Sequence, residues 1–96
     1  MKIAGRNILD SFCAKHVDAR HWIENWLSDA EEAAWKKPQD VKDRYASASF
    51  LAGNTVIFNV KGNEYRLEVT CAYQTAVVFV KWAGTHAEYD DTNRKR

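Results

Sequence analysis

The sequence predicts an α+β domain: two N-terminal helices packed on one face of a small antiparallel sheet, with a short helix at the C-terminal end. Three observations lead there. Apolar residues before Pro38 recur at helical spacing, and those after it recur at every second position. Two turn signals then divide the second half into three strands. A chain of 96 residues fits one domain, residues 1–96, with a small core.

Composition narrows the function classes. Hydrophobic residues at 46% and charged ones at 28% suit a globular chain in water. No apolar run approaches the roughly 20 residues of a membrane-spanning helix, and "MKIAGRNILD" lacks the long apolar stretch of a secretory signal. Cys13 and Cys71 stand alone without CxxC spacing, which argues against a zinc site and fits a reducing cytoplasm. A net charge of +1 names no partner, so any RNA contact must rest on positive charge gathered locally.

The elements follow in order. Residues 2–4 suit a short first strand. Asn7 to about Lys15 reads as a helix with Ile8, Leu9 and Phe12 as its apolar stripe. Asp18 reads as the N-cap of a second helix, where Ile23, Trp26, Leu27, Ala30, Ala33 and Ala34 recur at spacings of three and four. Trp22 and Trp35 widen that stripe. The helix should end before "KKPQD", because proline lacks the N–H donor and disfavours helix just ahead of it. "DVKDRYASASFLAG" suits a short helical turn followed by a strand around Ala48 to Leu51.

In "TVIFNV", Val56, Phe58 and Val60 share one face; in "EYRLEVTCAY", Tyr65, Leu67, Val69, Cys71 and Tyr73 do; in "VVFVKW", Val78, Val80 and Trp82 do. A turn on Gly62 and Asn63 sets Val60 against Tyr65, Phe58 against Leu67 and Val56 against Val69. A turn on Gln74 and Thr75 sets Cys71 against Val78, Val69 against Val80 and Leu67 against Trp82. Both hairpins then put their apolar residues on one face, as a buried face demands. Asn59, Arg66, Glu68 and Lys81 gather on the other, with Glu68 across from Lys81.

That polar face has two readings. One is a solvated surface with a cross-strand Glu68–Lys81 pair, worth a few tenths of a kcal/mol. The other is a pair of cations set for a phosphate, Arg66 as a planar fork and Lys81 as a point charge. The stretch "GTHAEYDD" closes the chain's last strand. Its "THAE" matches a capping box, with Thr85 capping the N–H of Glu88 and Glu88 returning to the N–H of Thr85. The box opens the C-terminal helix and places His86 in its first turn, beside the cationic face, where it can serve as general acid or base. Glu68 is a second acid/base candidate. No acidic cluster suggests a metal ion or other cofactor.

"NVKGNEYRL" followed by "GTHAEYD" resembles the HigB-type toxins of bacterial toxin–antitoxin pairs, within the RelE-like superfamily. "SFLAGN" and the helical first half also fit. The resemblance implies the RelE-like fold and an endoribonuclease that acts on mRNA at the ribosome. It implies catalytic roles for Arg66, Lys81 and His86. Tyr89 either stacks on a base or completes the fold's edge; Lys61 either meets ribosomal RNA or is an ordinary turn residue. Asn59 lies in the same RNA-facing patch. The implied partners are the ribosome, mRNA and a HigA-like helix-turn-helix antitoxin, with DNA reached only through the antitoxin. Asp91 stands where family members often carry a lysine, which motivates an alternative: a non-catalytic RNA- or protein-binding module of the same fold.

Overall fold

In the computed structural model, the backbone of residues 1–95 and the side chains of residues 1–91 are described. The chain runs β1 (Lys2–Ala4), α1 (Arg6–Lys15), a 3-10 turn (Val17–Ala19), α2 (Arg20–Glu32), α3 (Pro38–Arg44), β2 (Ser49–Leu51), β3 (Thr55–Val60), β4 (Tyr65–Ala72), β5 (Val77–Thr85) and α4 (His86–Lys95). The five strands form one sheet in the order β1-β5-β4-β3-β2. β1 pairs parallel to β5 and the other pairs are antiparallel, so the sheet is mixed rather than antiparallel. Parallel pairing needs a long crossover, and here the helices and three intervening strands supply it. Gly5 turns the chain from β1 into α1 at φ 86°, and a Cβ there would lie 2.6 Å from the Val80 carbonyl oxygen.

The helices bury the centres of the expected stripes, with Cys13 added to the first and Ile8 and Leu27 only partly buried at the margins. Leu9, Phe12 and Cys13 of α1 and Ile23, Trp26 and Ala30 of α2 join Val56, Phe58, Val60, Leu67, Val69, Cys71, Val78 and Val80 of the sheet in one core. Each large side chain sealed there contributes on the order of 1.5–3 kcal/mol. Trp26 meets Phe58 edge-on at 5.5 Å, and Tyr45 meets Phe58 edge-on at 5.1 Å.

Three local expectations are corrected. Asp18 caps no helix; it lies in the 3-10 turn, and α2 begins at Arg20 without a side-chain cap. α2 ends at Glu32, and Ala33 is already extended at φ −68°, ψ 152°. The α-ammonium of Met1 takes over the freed carbonyls, donating to those of Ala30 at 3.0 Å, Glu31 at 2.7 Å and Ala33 at 3.0 Å. That contact satisfies groups a helix end leaves unpaired and sets a cation at its negative pole. Trp35 is buried from the following loop instead of from the helix. Pro38 opens α3 at its first position, where a missing N–H costs nothing.

The first hairpin has the register read from its alternation: Val56↔Val69, Phe58↔Leu67 and Val60↔Tyr65. Its left-handed residues are Lys61 (φ 53°) and Gly62 (φ 71°), one position earlier than Gly62 and Asn63. The second hairpin begins as expected, with Cys71↔Val78 and Val69↔Val80, and then shifts. A β-bulge makes Lys81 an extra residue, so Glu68 lies opposite Trp82 rather than Lys81, and Leu67 opposite Ala83 rather than Trp82. Small Ala83 packs against the core in the place that regular alternation assigned to the indole of Trp82.

Candidate functional site

On either side of the bulge, β4 and β5 build a ladder of polar and aromatic residues on the face away from the main core. Thr70 faces Phe79, Glu68 faces Trp82 and Arg66 faces Gly84; on the other side of β4, Ile57 faces Glu68 and Asn59 faces Arg66. Rows two residues apart on one face lie about 6.7 Å from each other. The backbone N–H of His86 donates to the Glu64 carbonyl at 3.1 Å, which places His86 one row beyond Arg66.

The bulge explains how Lys81 and Trp82, adjacent in sequence, reach the same face. Lys81 is exposed, and its ammonium lies 5.5 Å from the ring centre of Phe79 in the neighbouring outward row. Arg66 is half-buried and donates one N–H to its neighbour, the Tyr65 carbonyl, at 3.3 Å; a guanidinium has five such donors. Glu68, at 9% exposure, is the buried charged group of this face.

The capping box forms as its spacing announces. The Thr85 N–H donates to Glu88 Oε1 at 2.8 Å, and the Glu88 N–H donates to Thr85 Oγ1 at 3.0 Å. The Thr85 N–H holds the Glu88 carboxyl below the ordinary carboxylate range, with the Thr85 hydroxyl adding to the effect. His86 therefore starts α4 on a fixed mount. Its Nδ1 lies 3.3 Å from Asp90 Oδ2, one helical turn on. The contact sets a carboxylate beside the imidazole within the first turns of α4.

Trp82 lies against α4, with its ring centre 5.9 Å from that of Tyr89. Its ring also covers Gly84: a Cβ on Gly84 would sit 2.6 Å from the indole and 3.0 Å from Glu88 Oε1. The missing side chain is what lets the indole lie along β5.

The remaining predicted residues have local partners. Asn59 donates to the Ser47 carbonyl at 3.1 Å and so fastens the segment before β2. Lys61 binds Asp18 Oδ2 at 3.1 Å and stands 3.9 Å from Glu64. Sequence reasoning missed two members of the face. Trp82 was assigned to the core because the alternation carries no mark of the bulge. Asp90 was readable in principle, since it stands four residues after His86, the spacing of helical neighbours. Among the described residues, no three His, Cys, Asp or Glu side chains gather where they could share a metal ion.

The family model for HigB toxins, described as the RelE-like toxic component of a toxin–antitoxin system, matches residues 19–92. The chain belongs to this family. The match runs from the 3-10 turn into α4 and takes in Asn59, Lys61, Arg66, Glu68, Lys81, His86 and Tyr89, while β1 and α1 lie outside it. No curated protein sequence matches the chain. As a HigB-family toxin, it belongs to a two-part system, which implies an antitoxin partner. No helix among the described residues is long and apolar enough to cross a membrane.

Proposed function

We propose that this toxin is an endoribonuclease that cuts mRNA at the ribosome, in the cytoplasm, without a metal ion, and is neutralised by a HigA-like helix-turn-helix antitoxin. The antitoxin, rather than the toxin, would bring the pair to DNA. The observation that carries the reading is that Arg66 and Lys81 lie on the outward side of β4 and β5, with His86 opening α4 one row beyond Arg66, in a family of toxins.

The chemistry those groups suit is attack by the RNA 2′-hydroxyl on the adjacent phosphate. The 2′-oxygen–phosphorus bond forms, the phosphorus–O5′ bond breaks, one proton leaves the 2′-oxygen and one reaches O5′. The requirement for a 2′-hydroxyl makes RNA the substrate and excludes DNA. Arg66 and Lys81 stabilise charge that develops on the phosphate oxygens, the interaction that commonly contributes most to such reactions. His86, with Asp90 3.3 Å from its Nδ1, transfers one of the protons. Glu68, beside Arg66 on β4, is the second candidate for proton transfer. Asn59, Lys61 and Tyr89 serve RNA or ribosome binding.

Primer extension on a translated message, in cells making the toxin alone, tests this reading. Wild type is expected to cut the message and arrest growth. Arg66→Ala should lower cutting roughly 100- to 1,000-fold, and His86→Ala roughly 100- to 10,000-fold. If both variants cut and arrest like wild type, the assignment is wrong. If wild type arrests growth without cutting, the non-catalytic binding module replaces the enzyme.

A further inference from the structure

We propose that Trp82 is a base-stacking platform: its indole receives the face of a nucleobase next to the phosphate held by Arg66. This rests on the RNA-cleaving reading and adds a binding subsite to it. The first support is the bulge at Lys81, which turns Trp82 out of the core and sets it opposite Glu68, one row from Arg66. Trp82 lies outside the core cluster and is only partly buried, so a large aromatic surface meets solvent on a polar sheet face. Trp82 is held twice, by Tyr89 with ring centres 5.9 Å apart and by Gly84, which leaves room for the ring.

The second support is charge. The residue before Trp82 is an exposed lysine whose ammonium leans the other way, toward Phe79 at 5.5 Å, and the row after it carries Arg66. An aromatic ring between two cations matches a single strand that presents alternating base and phosphate. Stacking uses the π-face that every base has, so the platform anchors the strand without selecting its sequence. The same cations favour an anionic strand over an apolar protein segment as the occupant.

The test uses a short single-stranded oligonucleotide of 2′-O-methyl RNA, which cannot undergo 2′-hydroxyl attack, and measures its dissociation constant against the purified toxin. Trp82→Ala should weaken binding roughly 5- to 100-fold, the loss of about one base–aromatic stack, while Trp82→Phe stays within a few-fold of wild type. Gly84→Ala should weaken binding through displacement of the indole, without removing it. The salt dependence of binding should be unchanged in Trp82→Phe and Trp82→Ala and shallower in Arg66→Ala, which removes a phosphate contact. Binding by Trp82→Ala as tight as wild type, at equal thermal stability, overturns the platform. So does wild-type protein that fails to bind the oligonucleotide at low salt, or a Trp82→Ala variant that loses only antitoxin binding. The cleavage reading fails separately, through Arg66→Ala and His86→Ala variants that still cut a translated message.

Discussion

The Tyr65 hydroxyl donates a hydrogen bond to Asp18 Oδ1 at 2.7 Å, joining the first residue of β4 to the 3-10 turn 47 residues earlier. Lys61 reaches the other oxygen of the same carboxylate at 3.1 Å. The Asp18 carboxyl is held below its ordinary value first by the Tyr65 hydrogen bond and then by Lys61. Because the folded-state value is depressed, the contribution of Asp18 is present above about pH 4 and fades as pH falls through the folded value. Asp18→Ala should lower the melting temperature at pH 7, and the difference should shrink as the pH falls toward 3. Thermal melts of both proteins at the two pH values check it.

On the proposed cleavage reading, the His86–Asp90 contact bears on rate rather than on RNA affinity. Asp90→Ala should lower the rate of message cutting about tenfold or more, within the range of general acid–base contributions, while RNA affinity stays near wild type. Asp90→Asn should lie between the two, because an amide oxygen still accepts from Nδ1. A Kd measured on uncleavable RNA beside a cleavage rate separates the two effects. Loss of affinity in place of rate would make Asp90 a binding residue.

The Thr85–Glu88 box predicts how α4 responds to acid. Thr85→Ala removes one capping bond and should cost about 1 kcal/mol of stability. The Glu88 carboxyl is lowered chiefly by the Thr85 backbone N–H, so the box contributes above about pH 4.3 and weakens as pH falls through the folded value. The gap between wild type and Glu88→Gln in denaturant titrations should therefore narrow from pH 7 to pH 3.

Alkali should act at the opposite end of the sheet. Burial pushes the Cys71 thiol from 9.0 up to about 11 and the Tyr73 hydroxyl from 10.0 up to about 12. Both groups are held neutral in the folded chain, so their contribution is complete below pH 9 and is lost as pH rises through 11 and 12. Tyr73→Phe should flatten the upper part of that decline in a stability–pH curve, and Cys71→Ser should alter its lower part.

Much of this fold was legible because its signals are local. The alternation from Thr55 to Val80 set both hairpin registers, and the Thr-x-x-Glu spacing set the start of α4. What stayed hidden depends on partners distant in sequence. Three residues of β1 carry no mark of parallel pairing with β5. α2 stops where the Met1 ammonium reaches its carbonyls, and Asp18 gives up a capping role for Tyr65 and Lys61. At the site, residue types pointed to Arg66, Lys81 and His86, but the face of Trp82 hung on one unpaired residue. "VVFVKW" reads as unbroken alternation, and only the fit of Ala83 against Leu67 and of the indole over Gly84 reveals the slip.

The parallel pairing of β1 with β5 also orders events in time. A ribosome adds roughly 5–20 residues per second, and the earliest strand waits for a neighbour that begins only at Val77. Until Val77 to Phe79 are available β1 has no partner, and until the rest of β5 follows β4 lacks its second edge and the mount for His86 does not exist. The helices and the first hairpin can collapse earlier, but the face bearing Arg66, Lys81 and His86 closes only at the end.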